Sequence, residues 1–372
     1  MQEIMTASEN YSELDEYFSK SGAECIMLVC GASIEKLRIN EYFETLEKRL
    51  GIKVVRFSDF QPNPRYESAV EGVRVFREHK CELIAAVGGG SALDTAKCIK
   101  LYSNMDDSSE YIKQTIIPND VPFIAIPTTA GTGSETNRFA VIYLNGEKQS
   151  VADDSCIPSA VLFDASTLRS LPLYQKKATM MDALCHAVEA YWSVNSNDES
   201  MEYSRSAIKM IIANKDGYLA NDDDGNANML KAANIAGKAI NITRTTAGHA
   251  MCYKLTTLYG ISHGHAAALC NMVLIPHMLA NISKCSDMRG TEHLGEGLSG
   301  IAEALDCDRE SLPQFFAGLV SELGLAAPKM KSDSDLDILK NSVDPVRLRN
   351  HPVTLSKEDI EKLYRQIMMQ EQ

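Results

Sequence analysis

Leu83-Ile84-Ala85-Ala86-Val87-Gly88-Gly89-Gly90-Ser91 is the stretch whose reading decides the fold. A short apolar run of this kind suits a strand buried on both faces. The glycines after it permit a sharp turn, and Asp94 to Tyr102 then has helical spacing. Such a turn has a physical use. Glycine lets backbone N–H groups approach phosphate oxygens, and the helix N-terminus adds a favourable dipole. The pattern is neither G-x-G-x-x-G nor a Walker sequence, and alone it also describes an ordinary strand-to-helix turn. A second turn narrows the choice. Pro127-Thr128-Thr129-Ala130-Gly131-Thr132-Gly133-Ser134-Glu135 again follows an apolar run, Phe123 to Ile126, and is rich in Gly and Thr. Two such turns at the carboxyl ends of strands describe a dinucleotide crevice.

The neighbouring sequence fits that frame. Residues 12 to 20 read as a short polar helix, and Glu24 to Cys30 as a buried strand ending at Gly31. Lys36 to Leu50 has Leu37, Tyr42, Phe43, Leu46 and Leu50 on one helical face. Ile52 to Phe57 reads as a strand, Gln61 to Pro64 as a turn, and Tyr66 to His79 as a helix with Val70, Val73 and Phe76 inward. Phe139 to Leu144 and Ala160 to Asp164 read as further strands. This alternation predicts an α/β domain, an open parallel sheet with helices on both faces. After Leu171-Pro172 the strand signals stop. From about 174 onward the pattern is helical, broken at 221–225 and at Ala327-Pro328. The expected division is residues 1–170, an α/β dinucleotide-binding domain, and 171–372, an all-α domain. Lys331 to Asp337 reads as a polar loop. Ser356 to Met369 reads as a helix opened by a Ser356–Asp359 capping box.

The totals exclude several functions. A net charge of -13 over 372 residues argues against nucleic-acid or membrane-surface binding, which needs a basic field. It leaves room for a small anionic substrate, since a few local Lys or Arg suffice. None of the ten cysteines form a C-x-x-C pair, as expected of reduced thiols in a cytoplasmic protein. Met1-Gln2-Glu3-Ile4 has no basic n-region, and no run is apolar enough for a membrane span.

The second half carries a different chemistry. In Met181-Asp182-Ala183-Leu184-Cys185-His186-Ala187-Val188-Glu189, Asp182 and His186 are four apart and share a helical face. Glu189, one turn on, reads either as a support for that pair or as a surface charge. His249 and His263 supply two more nitrogens. Three imidazoles and a carboxylate suit a borderline divalent ion such as Fe(II) or Zn(II). Spacing does not by itself bring the segments together, and an Asp-x-x-x-His pair also occurs on surfaces and in cores. His79, His277, His293 and His351 lack such context and read as structural; His265 lies two residues from a candidate ligand.

Taken together, Gly88 to Lys97, Pro127 to Glu135, Asp182 to Ala190, and His249 with His263-Gly264 resemble the signature set of the iron-containing (group III) alcohol dehydrogenases over nearly the whole chain. The resemblance implies NAD(P)-linked interconversion of an alcohol and an aldehyde, and a homodimer or larger assembly. It implies Asp182, His186, His249 and His263 as metal ligands. It places Gly88, Gly89, Gly90, Ser91, Asp94, Thr128, Thr129, Thr132 and Asn137 at the cofactor, NADP(H) or NAD(H). Two departures stand out. Many members carry a proton-relay histidine where this chain has Tyr253, so Tyr253 and His265 are the relay candidates; and Met180 replaces a usual glycine. A narrower likeness, to phosphonoacetaldehyde reductases, rests on His249 to Thr256, Trp192-Ser193-Val194-Asn195-Ser196 and Asn350 to Ser356. A phosphonate needs a local cation, for which Arg138 and Lys254 are candidates; each also reads as a solvated surface charge. No acidic residue follows the first strand at Cys30-Gly31-Ala32-Ser33, which favours NADPH. The competing readings are a simple alcohol or diol dehydrogenase, a dehydroquinate synthase-like lyase, and a non-catalytic redox sensor.

Overall fold

The computed structural model describes residues 2–332 and 334–369. The chain forms two compact units, residues 1–171 with 221–234, and residues 172–220 with 235–372.

Among the described residues the first unit holds eight strands: β1 (Glu3–Thr6), β2 (Cys25–Cys30), β3 (Lys53–Phe57), β4 (Leu83–Gly88), β5 (Phe123–Pro127), β6 (Phe139–Leu144), β7 (Glu147–Ala152) and β8 (Ala160–Phe163). Its helices are α1 (Ser12–Ser21), α2 (Ile39–Leu50), α3 (Tyr66–Glu78) and α4 (Gly90–Tyr102). Six strands make one parallel sheet in the order β1-β8-β5-β4-β2-β3. β2, β4, β5 and β8 are buried along their whole length, hence their unbroken apolar sequences. Leu14 and Phe18 of α1 and Ile39, Phe43 and Leu46 of α2 cover one face, packing with Ile26, Leu28, Leu83, Ala85 and Ile124. α4 lies along β4, β2 and β5, with α3 beside it. The chain steps from β2 outward to β3 and then returns to β4 on the other side of β2. That reversal is a topological switch point, and the carboxyl ends of β2 and β4 flank it. Register pairs Cys30 with Val87, so Gly31 and the glycine turn lie at the same end of the sheet.

Several elements depart from expectation. β6 lies outside the parallel sheet, in an antiparallel hairpin with β7. The turn is Asn145-Gly146, both with positive φ (53° and 79°), the backbone a two-residue hairpin requires. β7 escapes periodicity because Glu147-Lys148-Gln149-Ser150 is polar and mostly solvent-facing. β1 is four residues long and pairs only with β8. The helix expected from Lys36 begins at Ile39; before it, Ala32–Lys36 is a 3₁₀ turn and Leu37 is extended. α4 begins at Gly90 rather than Asp94.

The second unit is helical: α5 (Leu173–Trp192), α6 (Asp198–Leu219), the later part of α7 (Asp223–Thr243), α8 (Ala247–Tyr259), α9 (His263–Ala280), α10 (Gly290–Ala304), α11 (Leu312–Glu322), α12 (Asp335–Asn341), α13 (Pro345–Leu348) and α14 (Lys357–Met368). α14 opens with the Ser356–Asp359 capping box read from sequence. α12 takes up the end of the loop expected over 331–337, of which residue 333 lies outside the described residues, as does Met1. α5 packs against α6 and α9, and α8 against α9. Among the described residues no helix is long and apolar enough to cross a membrane.

Candidate active site

α5, α8 and α9 bring their polar residues to one point. Ligand atoms of Asp182, His249 and His263 all lie within 4.8 Å of one another. Asp182 and His249 are 3% and 1% exposed. His186, one turn along α5 from Asp182, stacks on His249 with ring centroids 4.3 Å apart and planes at 13°. All four residues expected as ligands are therefore neighbours.

Glu189 organises the cluster. It is fully buried, and its Oε1 lies 2.6 Å from His249 Nδ1 and accepts from Asn271 Nδ2 at 2.9 Å. Its Oε2 accepts from Thr246 N at 2.6 Å and Thr246 Oγ1 at 2.8 Å. Thr246 is the residue before α8 and makes no side-chain cap of its own, so a carboxylate from α5 satisfies that helix end and its dipole. With Nδ1–H donating to Glu189, His249 Nε2 presents a lone pair 3.4 Å from Asp182 Oδ1. In that neutral form two acceptors would face each other, which either a proton or a metal cation relieves. The pKa shifts follow the same logic. Burial opposes a charged His249, yet the charge of Glu189 and hydrogen bonds to Asp182 and Glu189 raise it to about 9. Burial would raise the Glu189 carboxyl, but the charge of His249 and hydrogen bonds from His249, Asn271 and Thr246 hold it down to about 2. Asp182 is likewise held below its usual value, against burial, by His186, His249 and His263.

Two glycines permit this closeness. A Cβ at Gly248 would sit 2.3 Å from Glu189 Oε1 and 2.4 Å from Asn271 Nδ2. One at Gly264 would sit 2.0 Å from the Ala178 carbonyl oxygen and 2.6 Å from Asp182 Cβ.

The relay and substrate candidates fare differently. The Tyr253 ring stacks on His263 at 5.1 Å and 24°. Its hydroxyl accepts from Arg347 Nη1 at 2.5 Å, and burial pushes its pKa up. His265 is turned to other partners: Nδ1 faces the Tyr174 hydroxyl at 3.1 Å and Nε2 faces the Ala326 carbonyl at 3.1 Å. Lys254 is partly buried on α8. Arg138, in the first unit, pairs with Asp154 at 2.9 Å.

In the first unit the two glycine turns meet. Thr128 N donates to Gly88 O at 3.0 Å, a Cβ at Gly89 would touch Thr129, and one at Gly90 would touch Thr132. Ser91 sits in the first turn of α4, whose amides face the turn as at any helix start. Asp94 accepts from Ser134 Oγ at 2.6 Å and Val141 N at 3.0 Å, tying the turns to the hairpin. Asn137 is 5% exposed and committed internally: Nδ2 donates to Gly133 O, and Oδ1 accepts from Phe139 N and Lys97 Nζ. Lys97, fully buried, also donates to the carbonyls of Asn137 and Phe139, so one ammonium fastens the second turn. The sequence reading passed over Lys97, Thr246, Asn271 and Arg347. Lys97 has a faint signal, a lysine inside an otherwise apolar helix face; Arg347 has none.

Residues 2–165 match the family described as iron-containing alcohol dehydrogenase, and residues 176–368 its C-terminal domain. The NAD-dependent methanol dehydrogenase of Bacillus methanolicus is 30% identical over 363 residues, 94% of each chain. The 1,3-propanediol dehydrogenase of Citrobacter freundii is 33% identical over 294 residues, 76% of this chain and 74% of that one. Among solved structures, sulfoacetaldehyde reductase from Bifidobacterium kashiwanohense in complex with NAD+ superimposes with a TM-score of 0.88 at 23% identity, covering 100% of this chain and 98% of the other. The chain belongs to the iron-containing alcohol dehydrogenase family and is an oxidoreductase acting on CH–OH groups.

Proposed function

We propose that the protein reduces a short aldehyde to its primary alcohol, holding one divalent metal on Asp182, His186, His249 and His263 and the coenzyme on its two glycine turns. The observation that carries this reading is the convergence of donor atoms of Asp182, His249 and His263 within 4.8 Å of one another, with His186 stacked beside them. Nitrogen and carboxylate donors of this kind fit Fe(II), with Zn(II) as the second candidate. When bound, the metal would supply a Lewis acid for the carbonyl and the reduced nicotinamide the hydride.

The chain's own residues do the rest. Glu189 fixes the His249 tautomer and keeps Nε2 directed at the site. The amides around Gly89, Gly90 and Ser91, with the dipole of α4, receive the pyrophosphate. Thr128, Thr129 and Thr132 line the same turn pair, and Asp94 and Asn137 hold its shape. Tyr253 keeps its proton at neutral pH, because burial raises its pKa, and so can donate to a developing oxyanion. Gly31 sets the coenzyme. A Cβ there would meet nothing within 4 Å, and the residues that follow β2, Gly31-Ala32-Ser33, include no carboxylate. Room without negative charge suits a ribose phosphate, hence NADPH. Phosphonoacetaldehyde is the proposed substrate, on the likeness carried by Trp192 to Ser196, His249 to Thr256 and Asn350 to Ser356.

The test is coenzyme oxidation by metal-stripped protein, before and after anaerobic loading with Fe(II) or Zn(II). Activity is expected only with metal, with at least tenfold preference for NADPH, and on phosphonoacetaldehyde above propanal. Turnover without metal refutes the metal assignment. A tenfold preference for NADH, about 1.4 kcal/mol, reverses the coenzyme. Equal rates on propanal make the protein a simple alcohol or diol dehydrogenase.

A further inference from the structure

Arg347 is a cation beside the candidate metal residues that no local sequence pattern announces. It lies on α13, donates from Nη1 to the Tyr253 hydroxyl, and its guanidinium carbon sits 4.7 Å from the centroid of that ring. The same ring stacks on His263, one of the three residues that converge on the metal position. A single tyrosine side chain therefore separates the guanidinium from the reacting centre. Nε is 3.7 Å from Asp344 Oδ2, too long for a hydrogen bond, and among the described residues Nη2 has no acceptor. The side chain is 25% exposed, partly withdrawn from water with part of its fork unused.

We propose that Arg347 receives the anionic end of the substrate, a phosphonate or sulfonate a few bonds from the aldehyde carbon, with Tyr253 spanning the distance to the metal-holding residues. This rests on the reading that the protein is an aldehyde reductase whose substrate carries an anion.

Three observations favour Arg347 over the cations beside the motifs. Lys254 follows His249 by five residues on α8 and is turned about 140° from it around the helix, whereas Tyr253, four residues on, shares its face. Arg138 is paired with Asp154. A planar fork binds a tetrahedral oxyanion through two parallel N–H groups, which an ammonium does not. The chain's net charge of -13 sharpens the need, since a dianion gains nothing from the general field.

The surroundings of α13 show it to be held in place. Val194 N donates to Asn350 O at 3.1 Å, and Asn195 Nδ2 to Asn350 Oδ1 at 3.1 Å. Asn350 Nδ2 donates to Thr245 O at 3.1 Å, just before α8. His351 is buried edge-on to Trp192, with ring centroids 6.3 Å apart. Thus the segment after Trp192 and the segment after α13 fasten each other, and the guanidinium is carried to Tyr253 by a fixed backbone.

The experiment compares wild type, Arg347→Gln and Arg347→Lys, metal-loaded, on phosphonoacetaldehyde, sulfoacetaldehyde and propanal. Wild type is expected to prefer the anionic aldehydes. In Arg347→Gln the selectivity ratio over propanal should fall by roughly thirtyfold or more, mainly through KM. Arg347→Lys should keep an intermediate ratio, because it retains charge and loses the fork. The wild-type order of phosphonate and sulfonate identifies the anion. If Arg347→Gln keeps the wild-type ratio, or loses all three substrates alike, Arg347 is not the anion site, while the reading of an anionic substrate stands. If wild type itself shows no preference for the anionic aldehydes, that reading and this inference fall together.

Discussion

Glu189 shows how much a single carboxylate decides. It accepts from the His249 ring, from Thr246 twice and from Asn271, and is sealed from water. Replacing it by Gln preserves the shape but removes the charge that supports a donating Nδ1–H. Glu189→Gln should weaken metal affinity by about 10- to 100-fold, read by competition with a chromophoric chelator. Unchanged affinity would mean that geometry alone orients His249. At this scale legibility was uneven. Asp182 and His186 share a helical face by spacing, whereas His249 and His263 join them only through the family resemblance. Glu189 carried an ambiguous signal, three residues beyond His186 in helical phase, which burial resolves. Arg347 lies 94 residues from Tyr253, and a contact of that separation leaves no trace in local pattern.

Between elements, approach distance governs. α9 crosses α5 where Gly264 faces the Ala178 carbonyl, and all three obstructing atoms are backbone atoms or the Asp182 Cβ. A methyl group there must push the two helices apart. Gly264→Ala should therefore destabilise by about 1–3 kcal/mol and also weaken metal binding, since His263 is the adjacent residue. Thermal melts with and without metal separate the two effects; a variant as stable and as tight as wild type would show that the helices slide freely. The same scale explains which elements were readable. β2, β4, β5 and β8 announce themselves because burial on both faces demands apolar side chains at every position. β7 does not, because it forms half of a small hairpin with polar outer positions, although Asn145-Gly146 was a turn signal available in the sequence. α13, with four residues, is too short to show a period.

Across the whole chain, the parallel sheet and the all-helical second half were legible because alternation and its disappearance are long-range properties of composition. The placement of residues 221–234 with the first unit was not, since it depends on packing rather than pattern. Global stability offers one further test. Lys176 is 2% exposed, donating to the Tyr218 carbonyl at 2.9 Å, and burial lowers its pKa from 10.5 to about 8. Between those values the unfolded chain binds more protons, so on this account stability rises with pH from about 8 to 10.5. Below that window the buried charge is a cost. Lys176→Met should stabilise the protein at pH 7 by about 1 kcal/mol after allowing for screening, with the advantage shrinking towards pH 10.5. A less stable variant at pH 7 would show that the bond to Tyr218 outweighs the cost.

The anchoring of α13 has a consequence for substrate choice. Besides the Arg347 bond to Tyr253, its fastenings run through the Asn350 side chain and backbone and the buried ring of His351. If Arg347 receives the anion as proposed, a substitution there would alter which substrate is held while α13 keeps its place and Asp182, His249 and Glu189 keep their contacts.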